Sequence, residues 1–271
     1  MITYPFSKIN IGLKVTAERD DGFHDIETIF YPVEKLADIL EVVESETMDF
    51  NVTGIPVEGP AEENIVLKAY KLLKDQYSLP PLKILLEKNI PTGAGLGGGS
   101  SDGAHMLMVL NDLFSLGLST EQLAGYALQL GSDCPFFIYG KPAFAMGRGE
   151  ILHDIKISLS GFHLVIVKPP VHVSTAEAYK SVVPKGSRLS LKGMITFPVV
   201  QWSGNIQNQF ETHIFESYPE IKAIKDSLYH HGATFALMSG SGSAVYGLFH
   251  SEKRNIEQLF PDDYQVFRAK L

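Results

Sequence analysis

The chain has 271 residues and a mass of 29.9 kDa, enough for one large domain or two modest ones. Its 31 acidic and 23 basic residues give a net charge of −8, so nucleic acid is not an expected partner. The single cysteine, Cys134, excludes an internal disulfide and a cysteine cluster for a metal, and no apolar stretch reaches the length of a membrane span. We therefore expect a cytoplasmic, unprocessed protein with no membrane partner.

The first predicted elements are strands. Residues 8–15 alternate between apolar and polar side chains, which predicts a strand with one buried face and one polar face. The pair Asp21-Gly22 is typical of a hairpin turn, and the β-rich sequence after it predicts strands over residues 26–33 and 39–43.

Helices and strands then mix. Asn64 is a good N-cap for a helix, and alternation predicts a strand over residues 82–86. Apolar spacing over residues 106–114 predicts an amphipathic helix. Ser119 and Gln122 form a capping box at the start of the next helix.

The second half begins near residue 155, which divides the chain into predicted domains 1–155 and 156–271. We predict a strand over residues 164–167 and a helix that a capping box opens at residues 174–177. A longer helix is predicted over residues 218–231, followed by a strand–turn–strand unit over residues 233–249. Strands and helices alternate without a regular βαβ rhythm, so the predicted class is α+β.

A glycine-rich segment, PTGAGLGGGSSD at residues 91–102, is the chemical centre of the sequence. Five of the seven residues from Gly93 to Gly99 are glycine, and the run leads into a helix. Such a loop lets backbone N–H groups point inward, and the helix N-terminus adds a partial positive charge. The segment therefore predicts a phosphate cradle rather than a plain surface loop. Ser100 and Ser101 can cap the helix, contact phosphate or hold Mg²⁺, and the sequence does not separate these roles.

Other phosphate motifs fit less well. Gly93, Gly95 and Gly98 satisfy the dinucleotide-binding pattern, but Asp112, where an acidic residue would follow, lies in the predicted helix. The only Gly-Lys pair, at 140–141, precedes a proline, so no Walker A motif is present. The protein-kinase motifs are missing as well.

Three segments in order, SKINIGL at 7–13, the glycine-rich segment at 91–102 and MSGSGSAVYGLF at 238–249, resemble the GHMP kinases. Within that superfamily the chain is most similar to kinases that act on a methylerythritol carried by cytidine diphosphate. That likeness also rests on RDDGFH at 19–24 and GSDCPFFIYGKPAFAMGRGEIL at 131–152.

The resemblance implies a two-domain α+β fold. Its N-terminal ATP-binding domain would be like the second domain of ribosomal protein S5, and its C-terminal domain ferredoxin-like. It also implies transfer of the γ-phosphoryl group of ATP, with Mg²⁺, to the 2-hydroxyl of that cytidine diphosphate substrate, in the non-mevalonate route to isoprenoid precursors. A monomer or weak homodimer is expected.

The same resemblance implies residue roles. Asp133 is the base that takes the proton from the substrate hydroxyl, and Lys8 is its positive partner. These roles suit phosphoryl transfer, which needs charge neutralisation and an acceptor for one proton. Taken singly, an aspartate after Gly131 is as well explained by a turn or cap, and a strand lysine by solvent exposure.

For the substrate, the resemblance implies that Asn10 and Gly240 contact it, that His24 hydrogen bonds the cytosine, and that Phe23 and Tyr179 stack on the base. Stacking with edge hydrogen bonds is a common way to hold a base. The family often has tyrosine at the position of Phe23, and residues 181–202 carry no family motif.

The implied ATP site places adenine near Asn64 and Lys88, and the triphosphate on the loop residues Pro91, Gly93, Gly95, Leu96, Gly97, Gly98, Gly99, Ser100 and Ser101. The metal ligands are not identified from the sequence. Two alternatives stay open. One is a GHMP kinase of the homoserine or mevalonate type, which would not need Phe23, His24 and Tyr179 to hold a base. The other is a nucleotide-binding sensor of the same fold without catalysis.

Overall fold

The computed structural model describes residues 1–180, 182–184 and 190–271. The strands are β1 (Ile2–Thr3), β2 (Phe6–Glu18), β3 (His24–Ala37), β4 (Ile39–Glu44), β5 (Asp49–Gly54), β6 (Leu82–Lys88), β7 (Ala143–Met146), β8 (Ile151–Asp154), β9 (His163–Lys168), β10 (Phe235–Met238), β11 (Val245–Phe249) and β12 (Gln265–Lys270). The α-helices are α1 (Ile65–Tyr77), α2 (Gly98–Leu113), α3 (Thr120–Leu130), α4 (Cys134–Tyr139), α5 (Thr175–Tyr179), α6 (Leu191–Met194), α7 (Glu211–Ser217) and α8 (Pro219–His230). The α+β class predicted from the sequence is confirmed.

The chain divides into two compact units that are interleaved along the sequence. Unit one comprises Met1–Lys8, Pro32–Thr92 and Gly97–Lys141, and unit two comprises Ile9–Tyr31, Gly93–Leu96 and Pro142–Leu271. The division at residue 155 stays a prediction.

Unit one contains a sheet in the order β1-β4-β6-β5, in which β5 pairs with β6 in parallel and the other pairs are antiparallel. Along β6, buried and exposed residues alternate, so that Leu82, Ile84 and Leu86 join an apolar cluster with α1, α2 and α3. The two caps predicted in unit one are confirmed: Asn64 Oδ1 accepts a hydrogen bond from Val66 N at 2.9 Å, and the box at 119–122 is complete. In unit two, Ser174 Oγ accepts from Glu177 N at 3.1 Å, but the Glu177 carboxylate accepts from the Tyr218 hydroxyl instead of completing the predicted box.

Unit two contains the antiparallel sheet β10-β11-β9-β12. All residues of β10 and β11 are buried. The cluster on this sheet takes Ile221, Ile224 and Leu228 from α8 and Leu13 and Val15 from β2. A further sheet has the order β2-β3-β7-β8, with antiparallel pairs between β3 and β7 and between β7 and β8.

The burial of β2 corrects the sequence analysis. A half-buried strand was expected, but both faces are buried from residue 7 to residue 13. Lys8 and Asn10 on the polar face are 3% and 2% exposed. Polar residues are buried only when other groups hold them, so this face is where the search for a site begins.

Several elements were not predicted, namely β1, β5, β7, β8, β12, α4, α6 and α7. Most of them are short, β5 and β8 are largely exposed, and β12 is mostly half-buried. Periodicity in such segments is too weak to separate a strand from a loop. Residues 181 and 185–189 of the segment without a family motif lie outside the described residues. Across the described part of the chain, no helix has the length and apolar character needed to cross a bilayer.

The core cluster of unit one generates a stability test. Leu110 on α2 is fully buried, whereas Leu128 on α3 is 42% exposed. Leu110→Ala should lower the free energy of unfolding by about 2–5 kcal/mol, because it removes buried methyl groups and leaves a cavity. Leu128→Ala should change it by less than about 0.5 kcal/mol. Urea unfolding followed by circular dichroism checks both, and equal effects of the two variants would contradict the assigned core.

Candidate active site

The glycine-rich loop runs into α2, and its backbone has an unusual conformation. Gly93, Gly95 and Gly97 have φ angles of +60°, +74° and +73°, in the left-handed region that favours glycine. Gly97 is the N-cap of α2, and Ser101 N donates the first helical hydrogen bond to its carbonyl at 2.9 Å. The N–H groups of residues 98–100 therefore have no acceptor within the helix, as a phosphate cradle requires.

Close neighbours exclude side chains along much of this loop. A Cβ on Gly95 would overlap the carbonyl oxygen of Ser239. A Cβ on Gly97 would lie 2.7 Å from Phe137 Cζ and 3.2 Å from Lys8 Cε. At Gly99, by contrast, no described atom lies within 4 Å of the Cβ position. The first turn of α2 is thus open at Gly99.

The structure narrows the roles left open for the two serines. Because α2 begins at Gly98, Ser100 and Ser101 lie within its first turns and neither caps it. Ser101 is fully buried, and its hydroxyl lies 3.3 Å from Nδ1 of His105. Ser100 is less buried, and its hydroxyl hydrogen bonds with the thiol of Cys134.

Two other loop residues predicted to bind ATP serve packing. Pro91 is buried, and Leu96 is 1% exposed. Their backbones can still contribute to the cradle. Gly98 is also tightly packed, since a Cβ there would lie 2.9 Å from Ile90 Cγ2.

Lys8 and Asp133 are brought together in unit one. Lys8 Nζ lies 3.5 Å from Asp133 Oδ2, with the lysine side chain 4% exposed and the aspartate side chain 33% exposed. Burial lowers the pKa of Lys8, and the negative charge of Asp133 with its hydrogen bond opposes that shift. The arrangement is a desolvated cation beside a carboxylate that solvent can reach.

The local sequence explains the position of Asp133. Gly131 ends α3, and Asp133 occupies the N-cap position of α4 with Pro135 in its first turn. The Asp133 carboxylate makes no capping hydrogen bond to the described backbone of α4, which argues against the simple cap role. The neighbouring Cys134 is buried, and burial raises its pKa to about 12, so it is not a thiolate nucleophile.

A cleft of about 610 Å³ opens in unit one beside the start of α2. It brings together Asn64 and Lys88, the two residues expected near adenine, with Gly99 of the loop. Residues 50–61 form much of its wall and include the apolar side chains of Phe50, Val52, Ile55, Pro56 and Val57. The mixture of apolar wall and a few polar groups is typical of a small-molecule site.

Lys88 does not extend freely into this cleft. Its ammonium, in a side chain 2% exposed, hydrogen bonds to Asp38 Oδ2 and to Asp102 Oδ2, the latter at 2.6 Å. Asp38 Oδ1 also accepts from Ile90 N at 2.8 Å. Burial raises the pKa of Asp102 well above its ordinary value, with Lys88 opposing the shift. Asp102 Oδ1 has no hydrogen-bond partner among the described residues, although Asp102 lines the cleft.

In unit two, Asn10 and Gly240 meet the first half of the loop. Asn10 Nδ2 donates to Thr28 Oγ1 at 2.8 Å, and Asn10 N donates to Ser239 Oγ at 3.2 Å. Ser239 Oγ in turn donates to the carbonyl of Gly95 at 2.8 Å. A Cβ on Gly240 would lie 3.2 Å from Gly95 Cα and 3.3 Å from Asn10 Oδ1. Two predicted substrate residues and a predicted phosphate residue thus form one network.

The aromatic residues predicted to hold the base also lie in unit two. The rings of His24 and Tyr179 are stacked, with centroids 4.7 Å apart and planes 27° apart. Phe210 contacts the Tyr179 ring edge-on. Phe23 is 50% exposed, and the guanidinium carbon of Arg148 lies 4.2 Å from its ring centroid. The structure therefore brings His24 and Tyr179 together and pairs Phe23 with Arg148.

The residues that contact Lys88, Phe23 and Asn10 carry no signal that assigns them a role from sequence, namely Asp38, Asp102, Arg148, Thr28 and Ser239. Asp38 gives one usable signal, a carboxylate between the apolar ends of two predicted strands. Arg148 and Asp102 stand inside quoted motifs but had no assigned role. Contacts between residues far apart in sequence, such as Asn10 with Ser239, leave no local pattern.

Comparison with known proteins identifies the family of the chain. The chain matches the GHMP kinases N terminal domain over residues 64–141 and the GHMP kinases C terminal domain over residues 200–260. A relative from Azobacteroides pseudotrichonymphae, named 4-diphosphocytidyl-2-C-methyl-D-erythritol kinase, is 52% identical over 257 residues, which cover 94% of this chain and 96% of the relative. A relative of the same name from Parabacteroides distasonis is 49% identical over the full length of both chains.

A solved structure supports the same conclusion. The crystal structure of a 4-(cytidine 5'-diphospho)-2C-methyl-D-erythritol kinase is similar with a TM-score of 0.77 and 34% sequence identity. The match covers 92% of this chain and 90% of that one. Fold and sequence likeness thus point to the same family. The chain belongs to the GHMP kinases, and within them to the family of proteins named 4-diphosphocytidyl-2-C-methyl-D-erythritol kinase.

Proposed function

We propose that this kinase transfers the γ-phosphoryl group of ATP to the 2-hydroxyl of 4-diphosphocytidyl-2-C-methyl-D-erythritol, a step toward isoprenoid precursors. The observation that carries the proposal is the pair of Lys8 and Asp133, 3.5 Å apart at the start of α4. A new bond forms between the hydroxyl oxygen and the γ-phosphorus, while the bond from that phosphorus to the ADP oxygen breaks. The family likeness supports the choice of substrate.

In this mechanism Asp133 accepts the proton of the substrate hydroxyl on a carboxylate oxygen. Its partial exposure leaves room for the hydroxyl to approach. Lys8 holds the carboxylate in place and supplies positive charge near the transferred group. Because its side chain is buried, this charge acts with little screening by water.

ATP would be held by the glycine-rich loop and the cleft. The N–H groups at the start of α2 suit the phosphates, since the helix dipole adds to their attraction for negative charge. Gly99 leaves open space beside the first turn of α2, and the other glycines allow close packing where a side chain would collide with its neighbours. Adenine would lie in the cleft with Asn64 and Lys88.

The residues present also suit Mg²⁺, which prefers hard oxygen ligands and is usually held by substrate phosphates with one or two protein oxygens. Among the residues that the structure describes, no three His, Cys, Asp or Glu side chains cluster as a metal site. The Ser100 hydroxyl, in the first turn of α2, is the candidate protein oxygen. When bound, Mg²⁺ neutralises charge on the phosphates.

The cytidine diphosphate part of the substrate would be recognised in unit two. His24 can hydrogen bond the cytosine edge, and Tyr179 and Phe23 offer aromatic faces for stacking. Stacking needs no hydroxyl, so phenylalanine at position 23 serves as well as tyrosine. Asn10 and Gly240 would contact the part of the substrate nearest the reacting hydroxyl.

The remaining proposals follow the family likeness: a cytoplasmic enzyme that works as a monomer or weak homodimer, with domains divided near residue 155. Homoserine-type and mevalonate-type kinases would have no use for the pair of His24 and Tyr179. A sensor without catalysis would have no use for the pair of Lys8 and Asp133.

One assay tests the reaction and its substrate together. ADP release with Mg²⁺ and ATP is measured with 4-diphosphocytidyl-2-C-methyl-D-erythritol, homoserine or mevalonate as the acceptor. Activity with the first acceptor alone supports the proposal. Activity with another acceptor, or with none while ADP still binds, overturns the substrate assignment.

The catalytic pair gives a first prediction for this site. Asp133→Asn and Lys8→Ala should each lower kcat by roughly 100-fold or more, because one removes the proton acceptor and the other the buried charge. Asp75→Asn, a matched change at an exposed position of α1, should leave kcat unaltered. Initial-rate kinetics with circular dichroism as a folding check provide the measurement. Near-normal turnover of either site variant would refute the mechanism.

The residues proposed to hold the base, His24 and Tyr179, give a second prediction. CDP should raise the melting temperature of the wild type, because a ligand that binds only the folded state stabilises it. Tyr179→Ala and His24→Ala should lose most of this shift and keep the shift caused by ADP. Tyr4→Ala, at an exposed tyrosine, is the control. If Tyr179→Ala and His24→Ala both keep the full CDP shift, these two residues do not form the cytidine site.

The pKa of Lys8 gives a third prediction. Burial lowers this pKa below the ordinary value of 10.5, so the ammonium loses its proton, and its charge, as the pH rises through the lowered pKa. The kcat/KM for ATP should therefore fall on the alkaline side below pH 10.5. Lys8→Arg keeps its charge over this range and should lack that fall, whatever its absolute rate. An identical alkaline limb in both proteins would show that another group titrates.

A further inference from the structure

A short segment that leads into α7, residues 207–211, is hydrogen-bonded to β2 inside unit two. Leu13 N donates to the carbonyl of Gln207 at 3.0 Å, and Gln209 N donates to the carbonyl of Leu13 at 2.9 Å. The side chain of Gln209 adds a bond, since its Oε1 accepts from Val15 N at 2.9 Å. These bonds fix the segment against the strand that carries Asn10.

Asn208 in this segment uses its whole amide. Its side chain is buried, and its Oδ1 accepts from Phe210 N at 3.0 Å. The two hydrogens of Nδ2 are donated to the carbonyls of Met238 at 2.9 Å and Gly240 at 2.7 Å. Of the side chains of this size, only asparagine offers one acceptor and two donors from the same group.

Glu211 holds the same turn from a second side. Its Oε1 accepts from Met238 N at 2.9 Å, and its Oε2 accepts from Lys225 Nζ at 2.6 Å. Both the N–H and the carbonyl of Met238 are thereby held from residues 208 and 211. The position of the turn at 239–244, which follows Met238, depends on this segment.

The turn in turn holds the first half of the glycine-rich loop. Ser239 Oγ donates to the carbonyl of Gly95 at 2.8 Å, and Ala244 N donates to the carbonyl of Ala94 at 3.2 Å. The missing side chain of Gly95 is what lets the Ser239 carbonyl approach so closely. Because this contact is tightly packed, a displacement of the turn displaces residues 94 and 95 as well.

We propose that Asn208 is a positioning residue for nucleotide binding: it sets the turn at 239–244, and through that turn the glycine-rich loop at 93–96. The inference rests on the proposed role of this loop in holding the ATP phosphates. Asn208 itself contacts backbone carbonyls of the turn, so it acts through them and not on the ligand. A purely structural role would change stability and leave nucleotide affinity unaltered.

The test compares Asn208→Asp with Gln209→Ala. The aspartate keeps the acceptor for Phe210 N, loses both donors, and faces two carbonyl oxygens with a carboxylate. The control removes the side-chain bonds of Gln209 to Val15 N and to the carbonyl of Val183, which do not involve the turn. Both variants lose side-chain hydrogen bonds in the same segment, and only Asn208→Asp loses bonds to the turn.

Two readouts separate positioning from stability. Asn208→Asp should raise the KM for ATP by roughly tenfold or more, since small displacements of binding groups carry large costs. It should also lose most of the rise in melting temperature caused by ADP with Mg²⁺. Gln209→Ala should melt earlier than the wild type and keep both the wild-type KM and the ADP shift. A folded Asn208→Asp variant with the wild-type KM and ADP shift overturns the proposal.

A second variant decides the matter if Asn208→Asp does not fold. Ser239→Ala removes the bond to Gly95 without touching residue 208, and it should raise the KM for ATP in the same direction. Combined with Asn208→Ala in a double-mutant cycle, its effect should be less than additive, because both act through one turn. A normal KM in Ser239→Ala, or additive effects, overturns the proposal. Absence of an ADP shift in the wild type would instead refute the phosphate role of the loop.

Discussion

The close packing of the glycine-rich backbone is the constraint on which the rest of the site depends. At Gly95 the neighbour is the carbonyl of Ser239, at Gly97 it is the Phe137 ring, and at Gly98 it is Ile90. Each contact leaves no volume for a Cβ, so the loop has few alternative paths. Because such a loop is already ordered, its N–H groups lose little conformational entropy when they bind an anion. Rigidity here comes from packing around glycine, a residue that is flexible on its own.

A GHMP kinase with an acidic chain must attract the negative triphosphate of ATP through local groups. With a net charge of −8 the overall field opposes such a ligand, so attraction must be local. Lys88 lies between two buried carboxylates, so its charge is already paired inside unit one. Lys8 lies beside Asp133, a carboxylate that is partly exposed and able to take a proton. The two lysines are equally buried and differ in what surrounds them, which suits the first to structure and the second to chemistry.

Much of the fold could be predicted from the sequence because its signals are local. The caps at Asn64 and Ser119, the alternation in β6 and the apolar stripe of α2 each follow from residues a few positions apart. The strands that were missed include β5 and β12, which lie at sheet edges. β5 is mostly exposed and β12 is mostly half-buried, so neither shows a clear pattern of buried residues. These strands form because they pair with strands that are distant in sequence, β5 with β6 and β12 with β9.

The candidate site was likewise predictable only in part. Glycine spacing and the family likeness pointed to the glycine-rich loop, to Lys8 and to Asp133. Within unit one, the structure places Lys8 beside Asp133 and close to Gly97 of the loop. The burial of both faces of β2 could not be foreseen, because alternation of side chains says nothing about what covers the polar face. The partners of Lys88 and Asn10 come from 14 to 229 residues away, at distances that no short window of sequence reaches.

The interleaving of the two units bears on how the chain can be divided in the laboratory. Unit two takes its core residues Leu13, Val15 and Ile26 from the hairpin of β2 and β3, more than 100 residues before the rest of its cluster. A fragment expressed from residue 156 onward would lack these side chains and expose the apolar surface they cover. Separate production of the two halves would therefore favour aggregation over folding. A circular permutant that keeps the hairpin covalently attached would preserve the cluster intact.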